Sequence, residues 1–137
     1  MADETAAPPR VVATAAALEL IERLMARHGP LMFHQSGGCC DGSSPMCYPR
    51  GDLIIGPQDV HLGDIGGQPF YIGAAQYEYW RHTQIIIDVV RGRGGMFSLE
   101  GPEGLRFLSR GRLFDAQELQ ALEKARPVME APAGRGR

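Results

Sequence analysis

The sequence lacks the features that mark a secreted, membrane-spanning or nucleic-acid-binding protein. No stretch approaches the roughly 18 consecutive apolar residues of a membrane helix, and no basic cluster precedes an apolar run at the amino terminus, as a secretory signal requires. The formal net charge is -2, so the basic excess that dominates phosphate binding is missing. We therefore expect a cytoplasmic protein that binds neither membrane nor nucleic acid, in a compartment where thiols stay reduced.

The 137 residues are enough for one hydrophobic core and few for two, and internal repeats are absent. Residues 1–11 and 127–137 show no apolar periodicity, which predicts a flexible arm and a flexible tail around a single domain of residues 12–126. Eighteen glycines and ten prolines favour short strands and turns over long helices.

Local patterns predict a compact, β-rich α+β fold with a mixed or antiparallel sheet. Thr14 can cap an N-terminal helix that stops at Gly29 and Pro30. Asp115 and Glu118 have the spacing of a capping box for a short C-terminal helix. Strands are predicted at residues 31–33, 53–55, 70–72, 83–90, 96–99 and 105–108.

The chain has three cysteines, and all of them lie in one short segment, as Cys39, Cys40 and Cys47, with His34 just before it. Turn-forming residues at 41–42 and 44–45 predict a reversal that returns Cys47 towards the other two. Consecutive strand residues point to opposite faces, so Cys39 and Cys40 share an ion only where residues 37–38, both glycine, break the strand.

Thiolates with an imidazole suit Zn²⁺, iron or an iron–sulfur cluster, because soft sulfur selects these metals. Two other interpretations stay open. The cysteines can be ordinary reduced residues beside a core histidine, in a metal-free structural or interaction protein. One thiolate can instead be a nucleophile, activated by His34 or Arg50, in a small enzyme acting on aldehydes, although no third, orienting group is evident. A redox-active disulfide between Cys39 and Cys40 is a variant of these hypotheses.

Tyr77, Tyr79, Trp80 and His82 form an aromatic and polar cluster that could line a pocket for a small carbonyl compound. Aromatic residues at alternate positions are more typical of a core or an interface.

Residues 33–43, 76–80 and 96–100 carry a resemblance that extends over most of residues 12–115. Their pattern resembles the uncharacterised bacterial domain-of-unknown-function family 779. Members are often encoded beside aldehyde or alcohol dehydrogenases, so the resemblance implies a supporting role in that metabolism.

A more distant resemblance is to the HesB-like A-type iron–sulfur carriers. In these proteins a Gly-Gly-Cys turn, matched here by residues 37–39, supplies one ligand and a C-terminal Cys-x-Cys pair supplies the others. This chain has no cysteine after Cys47, so other residues would have to replace that pair.

These observations together predict a metal-binding accessory protein rather than an enzyme, with Cys39, Cys40, Cys47 and His34 as the metal site. Zn²⁺, iron and an iron–sulfur cluster all remain candidates. The resemblance implies a dehydrogenase or oxygenase as the client protein. An exposed sheet edge also favours a homodimer, in which a second chain could complete the site.

Overall fold

The computed structural model describes residues 7–35, 43–92 and 98–124. This part of the chain contains three α-helices and seven strands in two sheets, which confirms the predicted α+β class. The helices are α1 (Ala15–His28), α2 (Ala74–Trp80) and α3 (Ala116–Lys124). The strands are β1 (Val11–Ala13), β2 (Leu31–Gln35), β3 (Met46–Pro49), β4 (Asp59–Ile65), β5 (Gln68–Gly73), β6 (Thr83–Arg91) and β7 (Leu105–Leu113).

Both sheets are mixed, as the sequence predicts. One has the strand order β1-β6-β7 and the other has the order β3-β2-β5-β4. β1 runs parallel to β6 and β2 runs parallel to β5, whereas the other neighbours are antiparallel. Strands that are distant in sequence therefore become neighbours, and this brings together the side chains of the candidate site.

Helix α1 begins and ends where its caps predict. The Thr14 hydroxyl accepts a hydrogen bond from the Ala17 N–H, and Gly29 ends the helix with a φ of 82°. Such a positive φ is readily adopted by glycine because it has no Cβ. Leu20, Ile21 and Leu24 lie on the buried face, so α1 is a scaffold element.

The predicted strand at residues 53–55 is wrong. These residues are not in a strand, and Ile54 is 89% exposed. Both edges of β2 are already taken, one by β3 and the other by β5, and none of the described strands pairs with residues 53–55. The apolar run is therefore part of a loop between β3 and β4.

The two sheets face each other across an aromatic cluster. Phe33 of β2 stacks on Phe70 of β5, with ring centroids 6.1 Å apart. Phe33 also contacts Phe107 of β7, in the other sheet, edge-on at 5.2 Å. All three rings are completely buried. One continuous core therefore joins the sheets, and α1 packs onto it.

The sheets also approach closely where β1 meets β4. A Cβ atom added at Gly63 would lie 3.0 Å from Val11 Cγ1. The pairing of β4 with β5 is irregular between His61 and Gly63, which places a bulge at this contact. Glycine thus gives β1 the room to lie against β4.

Strand β1 begins at Val11, which is buried. The predicted tail, residues 127–137, and part of the predicted strand 96–99 lie outside the described residues. None of the three described helices combines the length and the apolar character needed to cross a bilayer.

Candidate functional site

His34 lies near the end of β2 and is held by an acidic residue from another strand. Its Nε2 donates a hydrogen bond to Asp59 Oδ1 over 2.6 Å, and Asp59 is the first residue of β4. The other carboxylate oxygen, Oδ2, accepts the Gly56 N–H at 2.9 Å. The parallel pairing of β2 with β5, together with the antiparallel pairing of β5 with β4, brings the two residues together across 25 positions of sequence.

The environment keeps the Asp59 carboxyl group ionised. Burial by itself would raise its pKa, but the hydrogen bonds from Gly56 and His34 lower it, and the net pKa is below the ordinary value. A carboxylate only accepts hydrogen bonds, so it fixes the proton of His34 on Nε2. The Nδ1 lone pair has no partner among the described residues.

A second histidine–aspartate pair lies on the same face of this sheet. His34 is paired in register with Tyr71, and Tyr71 with His61, so the three side chains form a row across β2, β5 and β4. His61 Nε2 lies 2.9 Å from Asp64 Oδ1, and both of those side chains are more exposed than those of His34 and Asp59. The His61–Asp64 pair therefore offers a natural control for the His34–Asp59 pair.

Cys47 lies in β3 on the opposite face of the sheet. It is paired in register with Phe33 and is completely buried in the core. Burial raises the pKa of the Cys47 thiol well above its ordinary value, and the nearby Glu100 carboxylate raises it further. The Cys47 side chain is therefore a neutral thiol in this structure.

The structure does not bring His34 and Cys47 together. Their side chains leave neighbouring strands on opposite faces, because His34 is paired with Met46 and Cys47 with Phe33. Zinc binds its ligands at roughly 2.0–2.3 Å, so a single ion cannot contact both side chains in this arrangement. No three His, Cys, Asp or Glu residues within the described ranges converge on a shared metal position.

Cys39 and Cys40 lie outside the described residues, so their part in the metal site stays a prediction. The strands on either side of the segment, β2 and β3, pair antiparallel. The described flanks of the segment meet at Ser109 of β7. The Ser109 hydroxyl donates to Gln35 Oε1 at 2.7 Å, and the Ser109 N–H donates to the Ser43 carbonyl at 2.7 Å.

Two further predictions from the sequence concern Arg50 and the aromatic cluster at residues 77–82. Arg50 donates to the Leu31 carbonyl and to Gln68 Oε1, which are its hydrogen-bond partners in this structure. In the aromatic cluster, Trp80 is buried in the core and Tyr79 is largely exposed. Tyr77 and His82 line a small cavity with residues of α3.

Asp59 is the functional candidate that sequence reasoning missed. It follows Gly56 and Pro57 in a loop-like stretch, where an acidic residue is unremarkable. Asp59 could have been found only by predicting that the start of β4 lies close to the end of β2. Local sequence patterns carry no information about that proximity.

The comparisons with known proteins identify a family. No curated protein and no solved structure matches the chain. The family model described as Domain of unknown function (DUF779) matches residues 20–113, most of the chain. The HesB likeness and the link to dehydrogenase genes stay predictions. The match confirms the resemblance found in the sequence, and the chain therefore belongs to the DUF779 family.

Proposed function

We propose that this protein is a metal-binding accessory protein that holds Zn²⁺, iron or an iron–sulfur centre through Cys39, Cys40 and His34. The observation that carries the proposal is the hydrogen bond from His34 Nε2 to Asp59. Histidines that bind metals almost always donate their other ring N–H to a carboxylate or a carbonyl, which orients the ring and raises the basicity of the ligating nitrogen. His34 has this arrangement, with Nδ1 as the ligating atom.

The donor set fits the proposed metals. Two adjacent thiolates and one imidazole are soft and borderline ligands of the kind that zinc and iron prefer. Cys39 is five positions after His34 in the chain, beyond the end of β2. Cys47 is omitted from the proposed set because its thiol is buried on the other face of the sheet.

Three ligands leave one tetrahedral position for another group. A second copy of the chain could fill it in a homodimer, or a cysteine of a client protein could do so during transfer. We propose a cytoplasmic dehydrogenase or oxygenase of alcohol or aldehyde metabolism as the client. This part of the proposal is supported by the family resemblance and not by a contact in the structure.

Metal analysis of anaerobically purified full-length protein tests the site. With no metal added during purification, we expect about one zinc or iron ion per site, or about two to four irons where an iron–sulfur cluster is bound. An absorption spectrum separates the metals, because thiolate–iron centres are coloured and zinc sites are not. The double variant Cys39→Ser/Cys40→Ser should lose the metal, whereas Cys47→Ala should retain it. Metal that survives the double substitution, or a wild-type protein without metal, would refute the proposal.

The role of Asp59 is tested separately by a chelator competition. We expect Asp59→Asn to weaken metal affinity by about 10- to 100-fold, because the ring loses its charged acceptor. Asp64→Asn is the matched control, since Asp64 pairs with a histidine on the same sheet face. Equal effects of the two substitutions would remove His34 from the metal site.

A second candidate function gains support from the same hydrogen bond. Asp59 supplies the orienting group for His34 that a cysteine nucleophile would need, with Nδ1 as the base. A thiolate of Cys39 or Cys40 would add to the carbonyl carbon of an aldehyde, and the imidazolium would return the proton to the new alkoxide, giving a hemithioacetal. If metal-free protein forms this adduct with small aldehydes and Cys39→Ser abolishes adduct formation, the nucleophile function is favoured over metal binding.

A further inference from the structure

A small cavity lies where the N-terminal segment, the end of α2 and helix α3 meet. Its volume is about 150 Å³. Its lining includes Tyr77, Arg81 and His82, together with Leu119 and Leu122 of α3. None of these residues belongs to the His34–Asp59 pair, so the cavity is a separate place in the fold.

Arg10 places a fixed positive charge in this cavity. Its Nη1 donates to the Arg81 carbonyl at 2.9 Å, and its guanidinium group lies 5.4 Å from the centre of the Tyr77 ring. This double contact orients the side chain. Arg10 forms no ion pair with any carboxylate of the described residues.

Three arginines near Arg10 or on strand β7 do have acidic partners. Arg81, in the same cavity, binds Glu78 Oε1 at 3.2 Å. Arg110 pairs with Asp88 and Arg112 with Glu118. An oriented guanidinium without an acidic partner is a ready site for a planar anion, because its fork of N–H groups matches a carboxylate.

The rest of the lining restricts the anion. Glu123 also lines the cavity and is exposed and negative, so a dianion would be repelled more strongly than a monoanion. Leu119 and Leu122 provide an apolar wall, and Leu122 is only 9% exposed. At roughly 30 Å³ for each water molecule, the cavity holds about five waters or a ligand of similar size.

From this geometry we infer that the cavity binds a small monocarboxylate of about four or five carbon atoms. The carboxylate group binds Arg10, and the hydrocarbon chain lies against Leu119 and Leu122. Tyr77 supports the Arg10 guanidinium from the opposite side.

A titration of the ¹⁵N-labelled full chain with butanoate, followed by amide chemical shifts, tests this site. We expect saturable shifts for residues 77–82 and 119–123. Butanamide, which is neutral and of the same shape, should bind at least tenfold more weakly, and so should inorganic phosphate. The proposal is overturned if butanoate gives no saturable shifts, if butanamide binds equally well, or if phosphate binds more tightly.

Substitution of Arg10 tests whether its guanidinium group binds the carboxylate. Arg10→Gln should weaken butanoate binding at least tenfold. Arg23→Gln is the control, because Arg23 is an exposed arginine of α1 outside the cavity. If Arg10→Gln does not fold, the comparison of butanoate with butanamide on wild-type protein still decides the question. An unchanged affinity of folded Arg10→Gln would overturn the proposal.

Discussion

His34 and Cys47 lie on neighbouring strands but in opposite environments. The His34 ring is held by an ionised carboxylate at the outer face of the sheet, and Cys47 is enclosed among core side chains. A polar, basic nitrogen and a neutral thiol thus lie on the two sides of the same pair of strands. Any chemistry of Cys47 would first require the core to open.

Thiol reactivity gives a direct check on Cys47. In a Cys39→Ser/Cys40→Ser background, Cys47 is the only cysteine. We expect the folded protein to react with a thiol reagent at least about a hundredfold more slowly than the unfolded protein, because burial keeps the thiol protonated and inaccessible. The unfolded protein should give one equivalent. Rapid reaction under native conditions would show that Cys47 is accessible.

Asp88 makes folding stability depend on pH. Its carboxylate accepts the Val89 N–H and binds Arg110, and these contacts lower its pKa below the ordinary value of about 3.9. Below that value the unfolded state binds more protons than the folded state, so stability falls as the pH decreases. We expect Asp88→Asn to lower the unfolding free energy by about 1 kcal/mol at pH 7.

Denaturant unfolding at several pH values measures this effect. The difference between wild type and Asp88→Asn should shrink as the pH falls from 5 to 2, because the wild-type carboxylate becomes protonated. A difference that stays constant over this range would show that the Asp88 charge does not contribute.

At the level of elements, helices α1 and α3 were predictable because their signals are local, whereas α2 was not. Thr14 and Gly29 bound α1, and Asp115 and Glu118 form the reciprocal hydrogen bonds of a capping box before α3. The strands were less predictable. Residues 53–55 have strand composition but no partner, whereas β3 forms in a segment interrupted by Pro45 and Pro49. Strand formation depends on pairing with a neighbouring strand, and the local sequence does not determine which strand that is.

A comparison of two isoleucines tests whether residues 53–55 form a loop and not a strand of the core. Ile54 is 89% exposed and Ile72, in β5, is completely buried. We expect Ile54→Ala to change the unfolding free energy by less than about 0.5 kcal/mol. Ile72→Ala should lower it by about 2–5 kcal/mol, because it leaves a cavity in the core. Chemical denaturation of the two variants checks this, and a large loss for Ile54→Ala would place residues 53–55 against the core.

For the whole molecule, the close approach of β1 and β4 joins the two sheets along one edge. The strand order, the two parallel pairings and the Asp59–His34 contact are long-range features of the same kind. None of them follows from residue patterns, because each links segments far apart in the chain. The α+β class and the family could be predicted from the sequence. Of the candidate site, His34 could be predicted and Asp59 could not.

A double-mutant cycle tests the contact between the sheets. Gly63→Ala should lower the unfolding free energy by about 1–3 kcal/mol, since its Cβ would press on Val11 Cγ1. Val11→Ala removes the opposing atom but also buried apolar surface. We expect the double variant to be more stable than the sum of the two single losses implies. Strict additivity would show that the two residues do not meet in solution.

Ser109 fastens both flanks of the cysteine segment to the opposite sheet. A metal ion held by His34, Cys39 and Cys40 would tie this segment to β2, and loading would raise the melting temperature with the logarithm of free metal concentration. Thermal scans could then report occupancy of the centre without any spectroscopic label. Thermal unfolding would release the bound metal at the same time.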